Sequence, residues 1–389
     1  MVNRNSLLIF ILTVGVFGIL NTEMGVIGIL PDIAEHFNVS ISKAGWLVSF
    51  FALAVALSGP TLPLLFSGIN RKNVMLLVLC VFLVGNIVSI YTSNFNVLLI
   101  ARGIQGLFHP IYCSLAFSVA AASVSREGAP KAVSRVFIGV SAGMVVGVPV
   151  VSFITSVTFL QTGMSFFAAV NALVLIATWL YVPSMPVNEK LHYGSQLKVL
   201  KKSITWFSVV AVILLNASVI GVYSYLAEYL KTVTNMSPNI ISLTLFIYGG
   251  ANIIGNIVAG RLLTQRAMKS VASFPFVLGA VYIILFFTGQ FTVPMAIVTF
   301  IWGILAGVGA NINQYLLSTA APEAPDFANG LFLSSCNIGA TFGAAMGGLF
   351  ITEMGIQYVV MAGILSLVLS VAAIFLRNYK HVPAQQLSR

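Results

Sequence analysis

Residues 97–124 read VLLIARGIQGLFHPIYCSLAFSVAAASV, an apolar run of 28 residues in which Arg102 is the single charge. A helix that crosses a membrane needs roughly 20 apolar residues to span about 30 Å of hydrocarbon. The run is therefore long enough to cross a bilayer as one helix. Because a charge inside such a helix is costly, Arg102 marks the stretch as functional as well as membrane-spanning.

Runs of this kind recur along the whole chain, in which 7% of residues are charged and 59% are hydrophobic. We predict an all-α polytopic membrane protein with twelve transmembrane helices in two six-helix bundles. The predicted spans are Ser6–Leu30, Gly45–Phe66, Asn73–Tyr91, Val97–Val124, Ala132–Val157, Ser165–Val182, Ile204–Leu230, Asn239–Leu263, Val271–Thr288, Pro294–Leu317, Ala328–Thr352 and Ile356–Leu376.

The basic residues predict the orientation of the chain. With both termini cytoplasmic, 16 of the 19 lysines and arginines lie on the cytoplasmic side, Lys43 and Lys231 lie outside, and Arg102 lies within a span. This asymmetry follows the positive-inside rule and predicts a multi-pass protein of the cell membrane, with the lipid bilayer as a partner. The net charge of +10 therefore reflects topology. It does not indicate nucleic-acid binding, because the charges are scattered over loops.

The predicted spans fall into two halves with one pattern. We predict an N-terminal bundle at residues 1–182, a cytoplasmic linker at residues 183–203, and a C-terminal bundle with a short tail at residues 204–389. Helix five carries Gly139, Gly143 and Gly147, and helix eleven carries glycines 200 positions later. A parallel repeat of six helices is typical of transporters with a substrate site between the halves. A duplicated bundle without a cavity is the alternative.

Three motifs resemble the major facilitator superfamily. Arg102-Gly-Ile-Gln105-Gly106 resembles the superfamily's helix-four motif, and the basic turn Arg71–Lys72 follows helix two, as in that superfamily. The series Gly139, Gly143, Gly147 and Pro149 resembles the helix-five motif of drug:proton antiporters. The resemblance implies the twelve-helix fold and proton-coupled export, with the helix-five glycines and the Arg71–Lys72 turn serving conformational change. Pro149 also predicts a kink in helix five.

Shorter matches are similar to one bacterial branch of twelve-helix drug:proton antiporters, which exports sugars, purine nucleosides and amphenicol drugs. They are Asn21-Thr22-Glu23 leading to Pro31–Ala34, Ala321-Pro322-Glu323, and Asn337-Ile338-Gly339. One departure concerns the turn after helix two, where the superfamily usually has an Asp that latches the outward-open state. This chain has Ser67 there and Thr264 in the corresponding second turn. These two positions therefore lack the carboxylate of a charge latch, although the basic pair can still contact helix ends.

Glu23, Arg102 and His109 are the candidate proton-coupling residues. Arg102, Gln105 and His109 are spaced i, i+3 and i+7, so they share one face of helix four. Glu23 lies about 12 Å and Arg102 about 7.5 Å along their helices from the same side, which places them at similar depths. Glu23 is the only acidic residue predicted well inside a span. A purely structural buried pair of Glu23 and Arg102, and a core role for His109, are the alternatives.

The second half carries amides in its spans where the first half carries charges, with Glu228 near the outer end of helix seven as the exception. Asn311 and Gln314 share one helix face. Such a half suits a neutral or weakly polar substrate. Contacts between helices and simple packing are the alternative roles. The predicted substrate-binding residues of both halves are Asn21, Gln105, Tyr112, Asn216, Tyr225, Asn311, Gln314 and Asn337.

The sequence has no signature of an enzyme. It contains no phosphate-binding GxxxxGK[ST], no Gly-x-Ser-x-Gly and no cluster with metal-ligand spacing. We therefore expect no cofactor and no metal, and we interpret Cys80, Cys113 and Cys336 as small core residues. The predicted function is export of a drug, nucleoside or sugar in exchange for protons, by a monomer. The alternatives are an uncoupled facilitator or importer and, more remotely, a non-transporting receptor or complex subunit.

Overall fold

The structure is a computed structural model that describes residues 4–187 and 197–381. The chain divides into two compact units, Met1–Tyr193 and Gly194–Arg389. The predicted linker at residues 183–203 is only partly described, because its residues 188–196 lie outside the described ranges, as does Arg389. Within the described ranges every regular element is a helix, which confirms the all-α prediction.

The first unit contains six long helical elements, some of which are interrupted or extended by short segments. They are α1 (Arg4–Gly25, continued by Val26–Ile29 and Leu30–His36), α2 (Trp46–Ser58 and Leu62–Phe66, preceded by Ile41–Ala44), α3 (Arg71–Tyr91), α4 (Phe95–Ala122), α5 (Ala129–Ala142, Gly143–Gly147 and Val148–Val157) and α6 (Leu160–Tyr181).

The second unit repeats this organisation with six more helical elements. They are α7 (Ser203–Tyr223 and Leu226–Thr232, preceded by Lys198–Lys201), α8 (Pro238–Gln265), α9 (Ala267–Thr288), α10 (Thr292–Ala320), α11 (Pro325–Met354) and α12 (Val359–His381, preceded by Ile356–Tyr358).

The twelve predicted helices are all present in the described part of the chain. Ten of them are long and apolar enough to cross a membrane. Of the remaining two, α2 is interrupted by a turn at residues 59–61, where Pro60 lacks the N–H group that a continuous helix needs. The other, α11, is long but carries polar side chains such as Asn329, Ser335 and Asn337 along its length.

Helix α5 changes its hydrogen-bonding pattern near its centre. A π-helical segment spans Gly143–Gly147 and ends two residues before Pro149. Because proline has no N–H group, the carbonyl of Val145, four residues earlier, cannot receive an α-helical hydrogen bond from it. The sequence predicts a kink at Pro149, and the structure has this π segment at the same place. Such segments occur often at functional sites.

Three glycines of α5 allow close approach to α1. A methyl group at Gly143 would lie 2.7 Å from Leu20 Cβ, one at Gly139 would overlap the carbonyl oxygen of Thr13, and one at Gly147 would overlap the Asn21 amide. The spacing of four residues keeps all three glycines on one face of the helix, so the two backbones can meet along their length.

The same close approach recurs in the second unit between α11 and α7. A methyl group at Gly339 would lie 2.5 Å from the carbonyl oxygen of Ile213, and one at Gly343 would overlap the carbonyl oxygen of Ala217. Thr13 and Ile213 are 200 positions apart, as are Gly139 and Gly339. The repeat in the sequence is therefore a repeat of helix packing.

The turn between α2 and α3 is joined to the segment after α6 by hydrogen bonds. Asn70 Nδ2 donates to Ser184 Oγ at 2.7 Å, and Lys72 Nζ donates to the carbonyl oxygen of Trp179 at 2.8 Å, near the C-terminus of α6. Ser67, which stands where the superfamily has an Asp, donates to the carbonyl oxygen of Leu64. In this turn the basic residue Lys72 thus contacts a helix end, where a positive charge is favourable.

The turn between α10 and α11 carries an ion pair of the second unit. Lys202, at the start of α7, donates a hydrogen bond to the carboxylate of Glu323. Partial burial acts to raise the pKa of Glu323, but the hydrogen bond and the charge of Lys202 hold that pKa below its ordinary value. Both side chains are more than two-fifths exposed, so this pair adds little to stability.

Candidate proton and substrate sites

Glu23 and His109 meet inside the first unit. Glu23 stands near the end of the first segment of α1, and His109 lies on α4 directly before Pro110. Glu23 Oε2 lies 3.1 Å from His109 Nε2, and the two side chains are 15% and 5% exposed. The two atoms are within ion-pair distance but lack hydrogen-bond alignment. A proton-coupling role for this pair stays a prediction.

Arg102 contacts the main chain of α1 and does not contact the Glu23 carboxylate. Its Nη1 donates to the carbonyl oxygen of Thr22 at 2.6 Å, and its Nη2 donates to that of Glu23 at 3.0 Å. The guanidinium also lies over the Phe51 ring of α2, 4.7 Å from the ring centroid. A buried arginine is thus held by two carbonyl dipoles and an aromatic face. Its charge remains close to Glu23 without a direct ion pair.

His109 has two further neighbours. Cys113, one turn later on α4, places its Sγ 3.6 Å from His109 Nε2. The Phe51 ring meets the imidazole edge to face at 5.8 Å. His109 is therefore surrounded by a carboxylate, a thiol and an aromatic ring.

A chain of buried polar side chains connects α6, α1, α3 and α4 beside this site. Asn171 Nδ2 donates to Thr22 Oγ1 at 2.9 Å, and Gln105 Nε2 donates to Asn86 Oδ1 at 2.9 Å. A longer contact of 3.4 Å from Asn86 Nδ2 to Thr22 Oγ1 joins the two pairs. Thr22, Asn86 and Asn171 are absent from the residues predicted by sequence. The signal that could have found them is a single amide inside an otherwise apolar run.

The three substrate residues predicted in the first unit are completely buried among its helices. Gln105 belongs to the polar chain, and Tyr112 packs against Gly15 of α1. Asn21 faces the π segment of α5, and neither atom of its side-chain amide has a hydrogen-bond partner among the described residues. A role for these three residues in substrate binding stays a prediction.

The amides predicted in the second unit fall into two groups. In the first group, Asn311 Nδ2 donates to Asn256 Oδ1 at 2.8 Å and joins α10 to α8. Gln314 Nε2 donates to Asn329 Oδ1 at 2.8 Å and joins α10 to α11. Asn252 lies four residues before Asn256 on α8. A methyl group on Gly307 of α10 would overlap the main-chain carbonyl oxygen of Asn252. This group lies between α8, α10 and α11.

The second group joins α7 to α11. Asn216 Nδ2 donates to the carbonyl oxygen of Cys336 at 2.6 Å, and the Tyr225 hydroxyl donates to that of Ala344 at 2.8 Å. Asn337 donates within its own helix, to the carbonyl oxygen of Leu333 at 2.9 Å. All three side chains are half-buried. They therefore keep part of their surface available, and their role with substrate stays a prediction.

The second unit also buries charges that the sequence places at helix ends. Arg377 is 5% exposed, and α12 continues past the predicted end at Leu376. Its Nε donates to Ser208 Oγ at 2.8 Å and its Nη2 donates to Thr319 Oγ1 at 2.7 Å. Asp326, in the first turn of α11, is 6% exposed. These hydrogen bonds explain the longer α12, since a side chain held by α7 and α10 keeps its own turn helical.

Four aromatic side chains form a cluster in the second unit that the sequence did not reveal. Tyr223 of α7 stacks on Tyr248 of α8 with ring centroids 4.7 Å apart. Trp302 of α10 meets Tyr248 and Tyr282 edge to face at 5.2 and 5.5 Å. These rings are too far apart in the chain for any local pattern to connect them.

Twelve helical elements in two units, ten of them long and apolar enough to cross a membrane, with a carboxylate, an imidazole and a guanidinium inside the first, form the architecture of a membrane transporter. The sequence profile of the Major Facilitator Superfamily matches residues 12–324 and also residues 205–389. The chain belongs to this superfamily.

Bacterial relatives match nearly the whole chain. A probable sugar efflux transporter of Helicobacter pylori is 25% identical over 356 residues, covering 91% of each chain. The uncharacterized MFS-type transporter YtbD of Bacillus subtilis is 28% identical over 357 residues, covering 90% of each chain. The inner membrane transport protein YdhP of Escherichia coli is 24% identical over 370 residues, covering 95% of each chain.

Solved structures share the fold at low sequence identity. The human organic anion transporter MFSD10 (TETRAN) superposes with a TM-score of 0.80 at 14% identity, covering 96% of this chain and all of that one. The fucose:proton symporter FucP of Escherichia coli has a TM-score of 0.76 at 14% identity, covering 95% and 98%. At this level of identity the likeness describes the fold alone.

Proposed function

We propose that this protein is a proton-coupled exporter that exchanges a small organic molecule for protons by alternating access. The observation that carries the proposal is the 3.1 Å contact between Glu23 Oε2 and His109 Nε2 inside the first unit. Ionisable side chains inside a membrane are rare and mark proton or substrate pathways. A carboxylate beside an imidazole is suited to binding and releasing a proton near neutral pH.

Arg102 couples the Glu23–His109 pair to movement of α1 against α4. The proton affinity of a buried carboxyl group depends strongly on the distance to a neighbouring positive charge. Because Arg102 contacts the carbonyl oxygens of Thr22 and Glu23 and not the carboxylate, a small shift of α1 against α4 changes that distance. Proton binding and the conformation of the first unit are then coupled, which is the requirement for a proton gradient to drive uphill export.

The substrate of the proposed exporter is a neutral or weakly polar molecule, such as a sugar, a nucleoside or a drug. The relative from Helicobacter pylori is named a probable sugar efflux transporter, which supports the direction of transport and one of these classes. The second unit supports a neutral substrate because its predicted site residues Asn216, Asn311, Gln314 and Asn337 are amides. Amides supply donors and acceptors without a net charge.

Proton-driven flux in proteoliposomes tests the proposed function. Purified protein is reconstituted, and export of candidate sugars, nucleosides and amphenicols is followed after an inward proton gradient is imposed. We expect accumulation against the substrate gradient that stops when a protonophore collapses the proton gradient. Flux that only equalises substrate, with no response to the protonophore, would instead identify an uncoupled facilitator. No flux for any substrate, with folded protein, would favour a non-transporting role.

The orientation of the chain gives a second prediction. We propose that the termini and the segment containing Lys198 are cytoplasmic, and that Ser93 and Glu353 are external in the cell membrane. All three residues are exposed, so single cysteines there can be labelled. In a background lacking Cys80, Cys113 and Cys336, an impermeant thiol reagent added to whole cells should label positions 93 and 353 only. Labelling at position 198 from outside would overturn the assignment.

A further inference from the structure

Arg102 has one guanidinium nitrogen that the described protein leaves without an acceptor. Its Nη1 and Nη2 donate to main-chain carbonyl oxygens, but Nε is buried and has no hydrogen-bond partner among the described residues. The residue itself is 2% exposed. An unsatisfied donor on a buried charged group is costly, and buried polar groups in proteins are nearly always hydrogen-bonded to protein or to an ordered water.

A small cavity lies against this arginine. It is lined by Arg102, by Asn86 and Ser89 of α3, and by apolar side chains that include Val26, Leu98 and Phe167. Within it, the centre of a water molecule can occupy a volume of about 10 Å³. That is close to the smallest cavity that holds one ordered water, provided that the water has polar partners.

The two α3 side chains supply those partners. Ser89 Oγ donates its own proton to the carbonyl oxygen of Gly85 at 2.7 Å, so its oxygen is left as an acceptor. Asn86 Oδ1 accepts one hydrogen bond from Gln105, and a carbonyl oxygen has a second lone pair. A water in the cavity could therefore accept from Arg102 and donate to Ser89 and Asn86, which makes the usual three hydrogen bonds.

We propose that an ordered water molecule bridges Arg102 Nε to Ser89 and Asn86, and that these two α3 residues are positioning residues that hold Arg102 away from the Glu23 carboxylate. The proposal rests in part on the proposed function, because positioning matters for transport only if Glu23 carries the proton. The bridge satisfies the Nε–H of the guanidinium without a carboxylate. Arg102 can then stay charged while the carboxylate of Glu23 remains beside His109.

A direct test of the water is a structure of the full-length protein at about 2 Å resolution or better. We expect a density peak within hydrogen-bonding distance of Arg102 Nε and Ser89 Oγ. We also expect it to be lost in Ser89→Val, which removes the acceptor and fills the cavity. An empty cavity in the wild-type protein, in a map that shows other buried waters, would overturn the proposal whether or not transport is proton-coupled.

A functional test uses the pH profile of export. Glu23 from α1 is the titratable group whose charge acts on Arg102, His109 from α4 lies beside Glu23 with Cys113 next to it, and α2, α3 and α6 present Phe51, Ser89 and Phe167. Without the water, Arg102 would be free to turn toward the Glu23 carboxylate, and a closer positive charge favours the charged form of a carboxyl group. In Ser89→Val the pH profile of export should therefore move to lower pH.

Ser134→Val is the matched control. Ser134 is a buried α5 serine that also donates to its own helix, to the carbonyl oxygen of Lys131 at 2.9 Å. Its replacement should leave the pH profile unchanged. Ser89→Ala, which keeps the cavity open, is a second variant for the case that the valine variant misfolds. It should give a smaller shift of the pH profile in the same direction. A wild-type profile in both folded Ser89 variants would show that Ser89 does not position Arg102, and would leave the proposed proton coupling intact.

Discussion

Glu23→Gln is expected to abolish proton-driven uphill export and to leave counterflow exchange of substrate. Glutamine has nearly the same shape as glutamic acid and can still donate or accept a hydrogen bond toward His109, but it cannot bind and release a proton. The fixed neutral group resembles the protonated carboxyl, so the conformational cycle that exchanges substrate for substrate can continue. The loss should be complete within the detection of a proteoliposome assay, because no second carrier replaces Glu23 in this mechanism.

The measurement compares uphill export with counterflow at equal protein density. Glu35→Gln serves as the control, since Glu35 is an exposed acid on the short segment Leu30–His36 and is removed from the site. Arg102→Ala is a companion variant that should damage both activities, because it leaves the carbonyl oxygens of Thr22 and Glu23 without their donors. Uphill export that survives in Glu23→Gln would remove Glu23 from the role and assign the proton to His109, which His109→Gln would then test.

Gly147→Leu is expected to block coupled export in a protein that still folds and inserts. A side chain at this position would overlap the Asn21 amide of α1, so α5 and α1 could no longer approach each other as closely at the π segment. The nearest atoms belong to a side chain that can rotate, and overpacking of this kind costs about 1–3 kcal/mol. At Gly139 the overlap is with the main-chain oxygen of Thr13, which cannot move aside. Gly139→Leu should therefore fail to fold or insert.

The control for this series is Gly279→Leu in α9. A methyl group at Gly279 would have its nearest neighbour at 3.8 Å, an ordinary contact with Leu367. The measurement pairs the yield of folded protein with export activity. We expect both to be normal for Gly279→Leu, yield alone to be normal for Gly147→Leu, and neither to be normal for Gly139→Leu. Normal coupled export in Gly147→Leu would show that close packing of α5 on α1 is not required for transport.

Several features of the fold could be read from local patterns. Apolar length alone located all twelve helices, because hydrocarbon imposes the same demand on every span. The glycine spacing put three glycines on one face of α5 and three on one face of α11, since a spacing of four keeps residues on one face; the structure shows that these faces pack on α1 and α7. The end of α12 was predicted too early, at Leu376. Arg377 reads as a terminal charge in sequence, whereas in the structure Ser208 and Thr319 of two other helices hold it inside.

The candidate proton site was less predictable than the fold. Sequence spacing placed Arg102, Gln105 and His109 on one face of α4, and depth along the helices placed Glu23 near them. It could not tell which of these groups would touch. The contact is between Glu23 and His109, while Arg102 takes main-chain carbonyl oxygens. The difference arises because the main-chain carbonyl groups of α1 compete with the Glu23 carboxylate for the Arg102 guanidinium. The outcome of this competition cannot be predicted from the sequence.

The sequence by itself determined that this chain is a twelve-helix membrane protein of two related halves, because bilayer thickness and helix periodicity act on local runs of residues. Only the tertiary structure decided which buried polar groups meet. Thr22, Asn86 and Asn171 come from three helices and form one polar chain around the Arg102 contact. Tyr223, Tyr248 and Trp302 likewise meet from three helices. Such contacts depend on the rotation and approach of whole helices, which are set by packing across the unit and leave no periodic signal along the chain.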